Sequence, residues 1–235
     1  MGMPHALGGR TSADLGEAAP TLIVPLGSTE QHGPHLPLDT DTRIATAVAA
    51  AAAAGLGARV LVAPPLAYGA SGEHQQFPGT VSIGTAALTA VLTEYGRSAC
   101  DWAGRVVFLN GHGGNHDALR AAVVTLRREH RDVAWCSCTA AGADAHAGHT
   151  ETSVLLHLAP QHVRDHGSVA GNRAPLAELM PHLRTGGVAA VSDSGVLGDP
   201  AGASAEAGAA IFAEMVAGCL RAIQAWNPGP AGLLT

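Results

Sequence analysis

Four short, mostly apolar runs, separated by segments with helical spacing, constrain this chain more than any other feature of its sequence. Thr21–Leu26 and residues 59–63, 105–109 and 133–139 read as strands. They lack the alternation of a half-exposed sheet, as strands covered on both faces do. Residues 42–54, 85–102, 117–130, 150–158 and 203–226 read as helices, the first with capping oxygens from Asp39 to Asp41 and a stop at Gly55. Strands alternating with helices predict an α/β protein with a mostly parallel central sheet and helices on both faces. Its 235 residues fit a single domain spanning 1–235, with 1–20 and 228–235 as flexible ends. Residues 161–200, rich in Gly, Pro, His and Asp, lack a firm period and read as a lid, an oligomer contact or an ordinary surface excursion.

Ligands of open α/β sheets bind beyond the carboxyl ends of the strands. Polar, glycine-bearing segments follow the strands here at 27–41, 69–80, 110–115 and 144–152. Together they bring Glu30, His32, Asp41, Glu73, His74, His112, His146, His149 and Glu151 to one rim. Glu30 and His32 are two positions apart, so an extended backbone points both the same way. Gly33, Pro34 and Pro37 forbid a regular helix and turn the chain back, letting Asp41 reach the same point. These donor types suit Zn²⁺, Mn²⁺ or Fe²⁺, and a carboxylate such as Asp41 can bridge two ions. Spacing alone serves a polar capping network equally well. Gly111, Gly113 and Gly114 let the backbone turn sharply beside His112, which could instead cap the next helix. Glu151, flanked by Thr150 and Thr152, could likewise be no more than an acidic first turn.

Composition removes several classes of chemistry. All thirteen basic residues are arginine, which excludes Schiff-base and P-loop lysine mechanisms. The formal net charge of −6, with no basic cluster beyond Arg127, Arg128 and Arg131, argues against nucleic acid as a partner. The longest apolar run, 47–54, is far too short for a membrane span, and no signal-peptide pattern opens the chain; a cytoplasmic location is expected. Cys100, Cys136, Cys138 and Cys219 are too few for a disulfide framework and read as reduced thiols. No Gly-x-Ser-x-Gly elbow is present, and neither Cys100 nor Cys219 lies in a motif-bearing loop, so nucleophilic serine or cysteine catalysis is not expected.

The run from Pro25 to Asp41, the Ser71-Gly-Glu-His-Gln-Gln-Phe-Pro-Gly-Thr stretch, the Asn-Gly-His-Gly-Gly-Asn loop at 110–115 and the segment from His146 to Ser153 together resemble the creatininase family. They stand in family order and cover most of residues 21 to 158. The resemblance implies a three-layer α/β/α creatininase-like fold, a centre of two divalent metal ions (Zn²⁺, Fe²⁺ or Mn²⁺) and a homo-oligomer. By motif position, Glu30 and His112 would hold one ion, His32 the other, with Asp41 between them. In creatininase itself a glutamate two residues after the loop histidine completes the second site. Gly114 stands there in this chain and cannot ligate, so Glu151 is expected to fill the place. The ions would activate a water for attack on an amide carbon. His146 would protonate the departing amine, and Glu73, His74 and Asn115 would orient substrate. The uninterrupted motif from Pro25 to Ala45 and the lysine-free, alanine-rich character resemble the family's peptidases more narrowly. That implies release of a modified C-terminal Val-Tyr dipeptide from a modified ribosomal precursor peptide. Hydrolysis of creatinine, a formamide or another cyclic amide is the alternative within the family. A non-catalytic metal-binding scaffold is the alternative outside it.

Overall fold

The computed structural model describes residues 5–16 and 19–235. Strands β1 (Thr21–Leu26), β2 (Val60–Val62), β3 (Arg105–Asn110) and β4 (Val133–Ser137) form one four-stranded sheet in the order β2-β1-β3-β4, parallel throughout. Seven α-helices are described: α1 (Ser12–Leu15), α2 (Thr40–Leu56), α3 (Gly84–Ala99), α4 (His116–Arg128), α5 (His149–Leu158), α6 (Leu176–Gly186) and α7 (Ala205–Ala225).

The strands are apolar at successive positions because each side of the sheet has its own core. Ile23, Val107, Leu109, Ala134 and Cys136 pack with Ile44 of α2, Val154 of α5 and Met215 of α7. Leu22, Val24, Val106, Phe108 and Val133 point the other way, onto Leu88 and Leu92 of α3 and Leu119 and Leu126 of α4. Both faces of the sheet are therefore dry, as parallel crossovers require. β1 and β3 run in register from Thr21↔Arg105 to Leu26↔Asn110, so both chains leave the sheet at one edge. Gly111 N–H donates to Leu26 O at 2.8 Å and holds the two departing loops together.

Residues 161–200, which lack a firm period in the sequence, contain α6 and a small cluster of Leu179, Val188 and Leu197. Leu179 is the only buried residue of α6, and Pro181 lies inside it, so no apolar stripe marks the helix in the sequence. The tail after Asn227 is packed, because Trp135 N–H donates to Gly232 O, Leu234 N–H donates to Trp135 O, and Leu234 is buried. At the other end, residues 1–4 and 17–18 lie outside the described residues, and Ala6 bridges to Val62. The four cysteines are all free. No helix among the described residues is long and apolar enough to cross a membrane.

Candidate metal centre

The loops leaving β1 and β3 converge with two others at the carboxyl edge of the sheet. Glu30 N–H donates to Leu38 O at 3.0 Å, closing the β1 loop so that Asp41, in the first turn of α2, returns toward Glu30 and His32. Asp41 faces an imidazole with each oxygen: Oδ1 lies 3.1 Å from His32 Nε2, and Oδ2 lies 3.3 Å from His112 Nδ1. Oδ2 also accepts from Ser28 Oγ at 2.8 Å. His112 Nε2 stands 3.1 Å from Glu30 Oε2 and 3.6 Å from Glu73 Oε1. His32 Nε2 lies 3.8 Å from Glu151 Oε2, and His146 Nδ1 lies 3.7 Å from Glu30 Oε1. Of the residues expected to bind metal, Glu30, His32, Asp41 and His112 are buried, and Glu151 is partly buried beside them.

Three overlapping sets, Glu30 with His32 and Asp41, Glu30 with His74 and His146, and His32 with His146 and Glu151, each bring ligand atoms within 4.8 Å of one another. Both oxygens of Glu30 are buried with no partner in hydrogen-bond geometry, and their near polar neighbours are imidazole nitrogens, His74 Nε2 at 3.3 Å from Oε1 and His112 Nε2 at 3.1 Å from Oε2. A buried carboxylate in that condition is costly unless a cation balances it. The donor set fits divalent ions on that ground.

Protons occupy the centre in the absence of cations. Burial alone would push His32 and His112 down, but Asp41, Glu151 and Glu30 around the first, and Glu30, Asp41 and Glu73 around the second, hold both up at about 10. Burial lifts Glu30 to about 7 and Glu151 to about 8. Asp41 is held well below the usual carboxylate range, because His32 and His112 outweigh its burial. Cations must displace the imidazole protons, since a ligand nitrogen has to be unprotonated. Binding therefore releases protons near neutral pH, and affinity rises with pH and falls as acid re-protonates His32 and His112. Calorimetric titration with Zn²⁺ in buffers of different ionisation enthalpy measures the release; a heat independent of buffer would show that no protons leave.

The remaining site candidates separate sharply. His146 Nε2–H donates to Gln31 O at 2.8 Å, leaving Nδ1 as the nitrogen that faces Glu30. Burial, with His32 and His74 close by, keeps His146 well below the usual imidazole range, so it rests neutral. Glu73 is partly exposed and lines the cavity described below. Asn115 lies outside the cavity lining: its Oδ1 accepts from Ala70 N–H, and its Nδ2 donates to Gly27 O and Asn110 Oδ1. It is a fully buried brace between loops. His74 lines the cavity, with Nδ1 at 2.8 Å from Gln31 Nε2 and Nε2 at 3.3 Å from Glu30 Oε1. His149 stays out of the cavity lining. His35 is buried and pairs through Nε2 with Thr152 Oγ1 at 2.9 Å, whereas His116 is exposed.

Sequence reasoning missed Gln31, which touches His74, His146, Gly33 and Gly195. Its only signal was its place between Glu30 and His32, which in an extended run turns it away from both. A cavity of about 1230 Å³ opens onto the cluster at Asp41, Glu73, His112 and Glu151. Its outer wall is the 172–188 segment, with Leu176, Met180, Leu183 and Arg184.

A family model described as "Creatininase: Creatinine amidohydrolase" matches residues 10–223. The chain is 61% identical over 236 residues to the mycofactocin precursor peptide peptidase of Mycolicibacterium smegmatis, covering 99% of this chain and 96% of that protein. Among solved structures, a variant creatininase of the Zn-Zn type superposes with a TM-score of 0.77 at 28% identity, covering 95% of this chain and 98% of that one. A structure described as "Creatininase Mn" superposes with a TM-score of 0.75 at 26% identity, covering 96% and 99%.

Proposed function

This chain belongs to the creatininase family, and from that premise we propose that it is the peptidase that cuts the mycofactocin precursor peptide, releasing a modified C-terminal Val-Tyr dipeptide. The observation that carries the reading is identity of 61% across nearly the whole length of a relative named a mycofactocin precursor peptide peptidase. The cavity agrees with it: about 1230 Å³ exceeds the ~300–1,000 Å³ usual for small-ligand sites and leaves room for a peptide chain.

Glu30, His32, Asp41, His112 and Glu151 would hold two divalent ions, and mixed oxygen and nitrogen donors accept Zn²⁺, Fe²⁺ or Mn²⁺. When bound, such ions lower the pKa of a water and polarise the amide carbonyl. The chain's own groups do the rest. His146, neutral with its proton on Nε2, can take the attacking water's proton at Nδ1 and pass it to the departing amine nitrogen. Glu73, at the cavity edge, can accept from a backbone N–H of the peptide. The wall of α6 screens the amide from bulk water. Exposed Leu38, Tyr68 and Val81 supply apolar surface for the homo-oligomer that belongs to this reading.

Incubating zinc-loaded protein separately with modified precursor peptide and with creatinine, followed by mass spectrometry, tests the proposal. Release of the C-terminal dipeptide with creatinine intact is the expected result; creatinine turnover beside an intact peptide would overturn it. In the same assay His146→Ala should lose about 10²–10⁴-fold in turnover with its metal content unchanged.

A further inference from the structure

The side-chain amide of Gln31 is oriented by backbone groups on both sides. Oε1 accepts the Gly33 N–H at 2.9 Å, and Nε2 donates to Gly195 O at 3.0 Å. Exchanging the two ends would set oxygen against oxygen and N–H against N–H, so these partners assign the amide uniquely. Nε2 has two hydrogens; one goes to Gly195 and the other toward His74 Nδ1, 2.8 Å away. An amide nitrogen does not accept, so His74 Nδ1 must, and the His74 proton resides on Nε2. That N–H stands 3.3 Å from Glu30 Oε1, within ion-pair distance though short of hydrogen-bond geometry. The amide's third neighbour, His146 Nε2 at 3.1 Å, uses its own hydrogen on the backbone carbonyl of Gln31. Gly195 belongs to the same device: its φ is 79°, and a Cβ there would lie 2.0 Å from Gln31 Oε1.

We propose that Gln31 is a positioning residue that locks His74 in its Nε2–H tautomer, so that His74 presents a proton to Glu30 and no lone pair to a cation. Glu30, His74 and His146 form a group of ligand type by distance. The lock removes His74 Nε2 from the ligand set and makes it a support that orients the buried Glu30 carboxylate, as outer partners of metal ligands do. The inference holds whichever amide the enzyme cuts.

Long-range ¹H–¹⁵N correlation spectra of the ¹⁵N-labelled full chain, metal-free and zinc-loaded, read the tautomer directly. Wild type should carry the His74 proton on Nε2 in both states. Gln31→Met keeps the length but removes the donor; it should populate the Nδ1–H form of His74. His146 is held by a backbone carbonyl and should not change. Gln31→Met should also lose about 10–100-fold in kcat with KM near wild type. A wild-type His74 protonated on Nδ1, loss of the Nε2 proton on zinc loading, or an unchanged tautomer in Gln31→Met would each overturn the assignment. Should Gln31→Met fail to fold, the two wild-type spectra still decide.

Discussion

Replacing Asp41 by alanine is expected to lower amide hydrolysis by about three orders of magnitude, the scale on which a centrally placed electrostatic group contributes to turnover. Asp41 is 2% exposed and sets one oxygen against His32 and the other against His112, so its loss removes the group common to both halves of the centre. His32 would also lose its leading counter-charge and His112 one of several beside Glu30, so both pKa values should fall, that of His32 more. Asp41→Asn, which keeps shape but not charge, should behave almost as severely. Kinetics paired with metal analysis by mass spectrometry check this. Retention of near-normal turnover and a full metal complement in both variants would remove the basis of the hydrolytic centre.

Gly208→Ala is expected to destabilise the fold by about 3 kcal/mol, at the upper end of overpacking costs. For a chain of this size that is roughly 6–12 °C in Tm. In an ordinary helix interior the same change gains about 0.8–1.0 kcal/mol. The sign reverses because Gly208 is buried in α7 where that helix crosses α5. A Cβ there would lie 1.8 Å from Ser153 O and 3.0 Å from the His157 Cβ. The nearest obstacle is backbone, which no rotamer change can clear. Since α5 carries Glu151 in its first turn, the displacement should also weaken cation binding on the His32 side. Calorimetry of the purified variant measures the effect, and a Tm above wild type would show that the two helices can part cheaply.

The strands were legible because both faces of a parallel sheet demand apolar residues, and a run such as Thr21–Leu26 satisfies no other common environment as well. The loops that carry Glu30, His32, Asp41 and His112 were legible because glycine and proline break regular structure just past those strands. The 172–188 wall was not, because α6 buries one side chain and so writes no stripe into its sequence. The partners of Asn115 and His74 were not legible for a different reason. A polar side chain next to a motif could turn either to the cavity or into the frame. The partners that hold them, Gly27 O for Asn115 and Gln31 Nε2 for His74, lie 88 and 43 positions away in the chain.

Periodicity and residue type alone therefore determined the parallel α/β architecture, the edge of the sheet where chemistry gathers, and the donor types gathered there. Tertiary structure decided which of those donors face each other, which imidazole nitrogen holds a proton, and where glycine is obligatory. The division has one physical cause. Strand and helix patterns are set by neighbours within a few residues, whereas charge balance, tautomer and close approach depend on atoms that only the folded chain brings together.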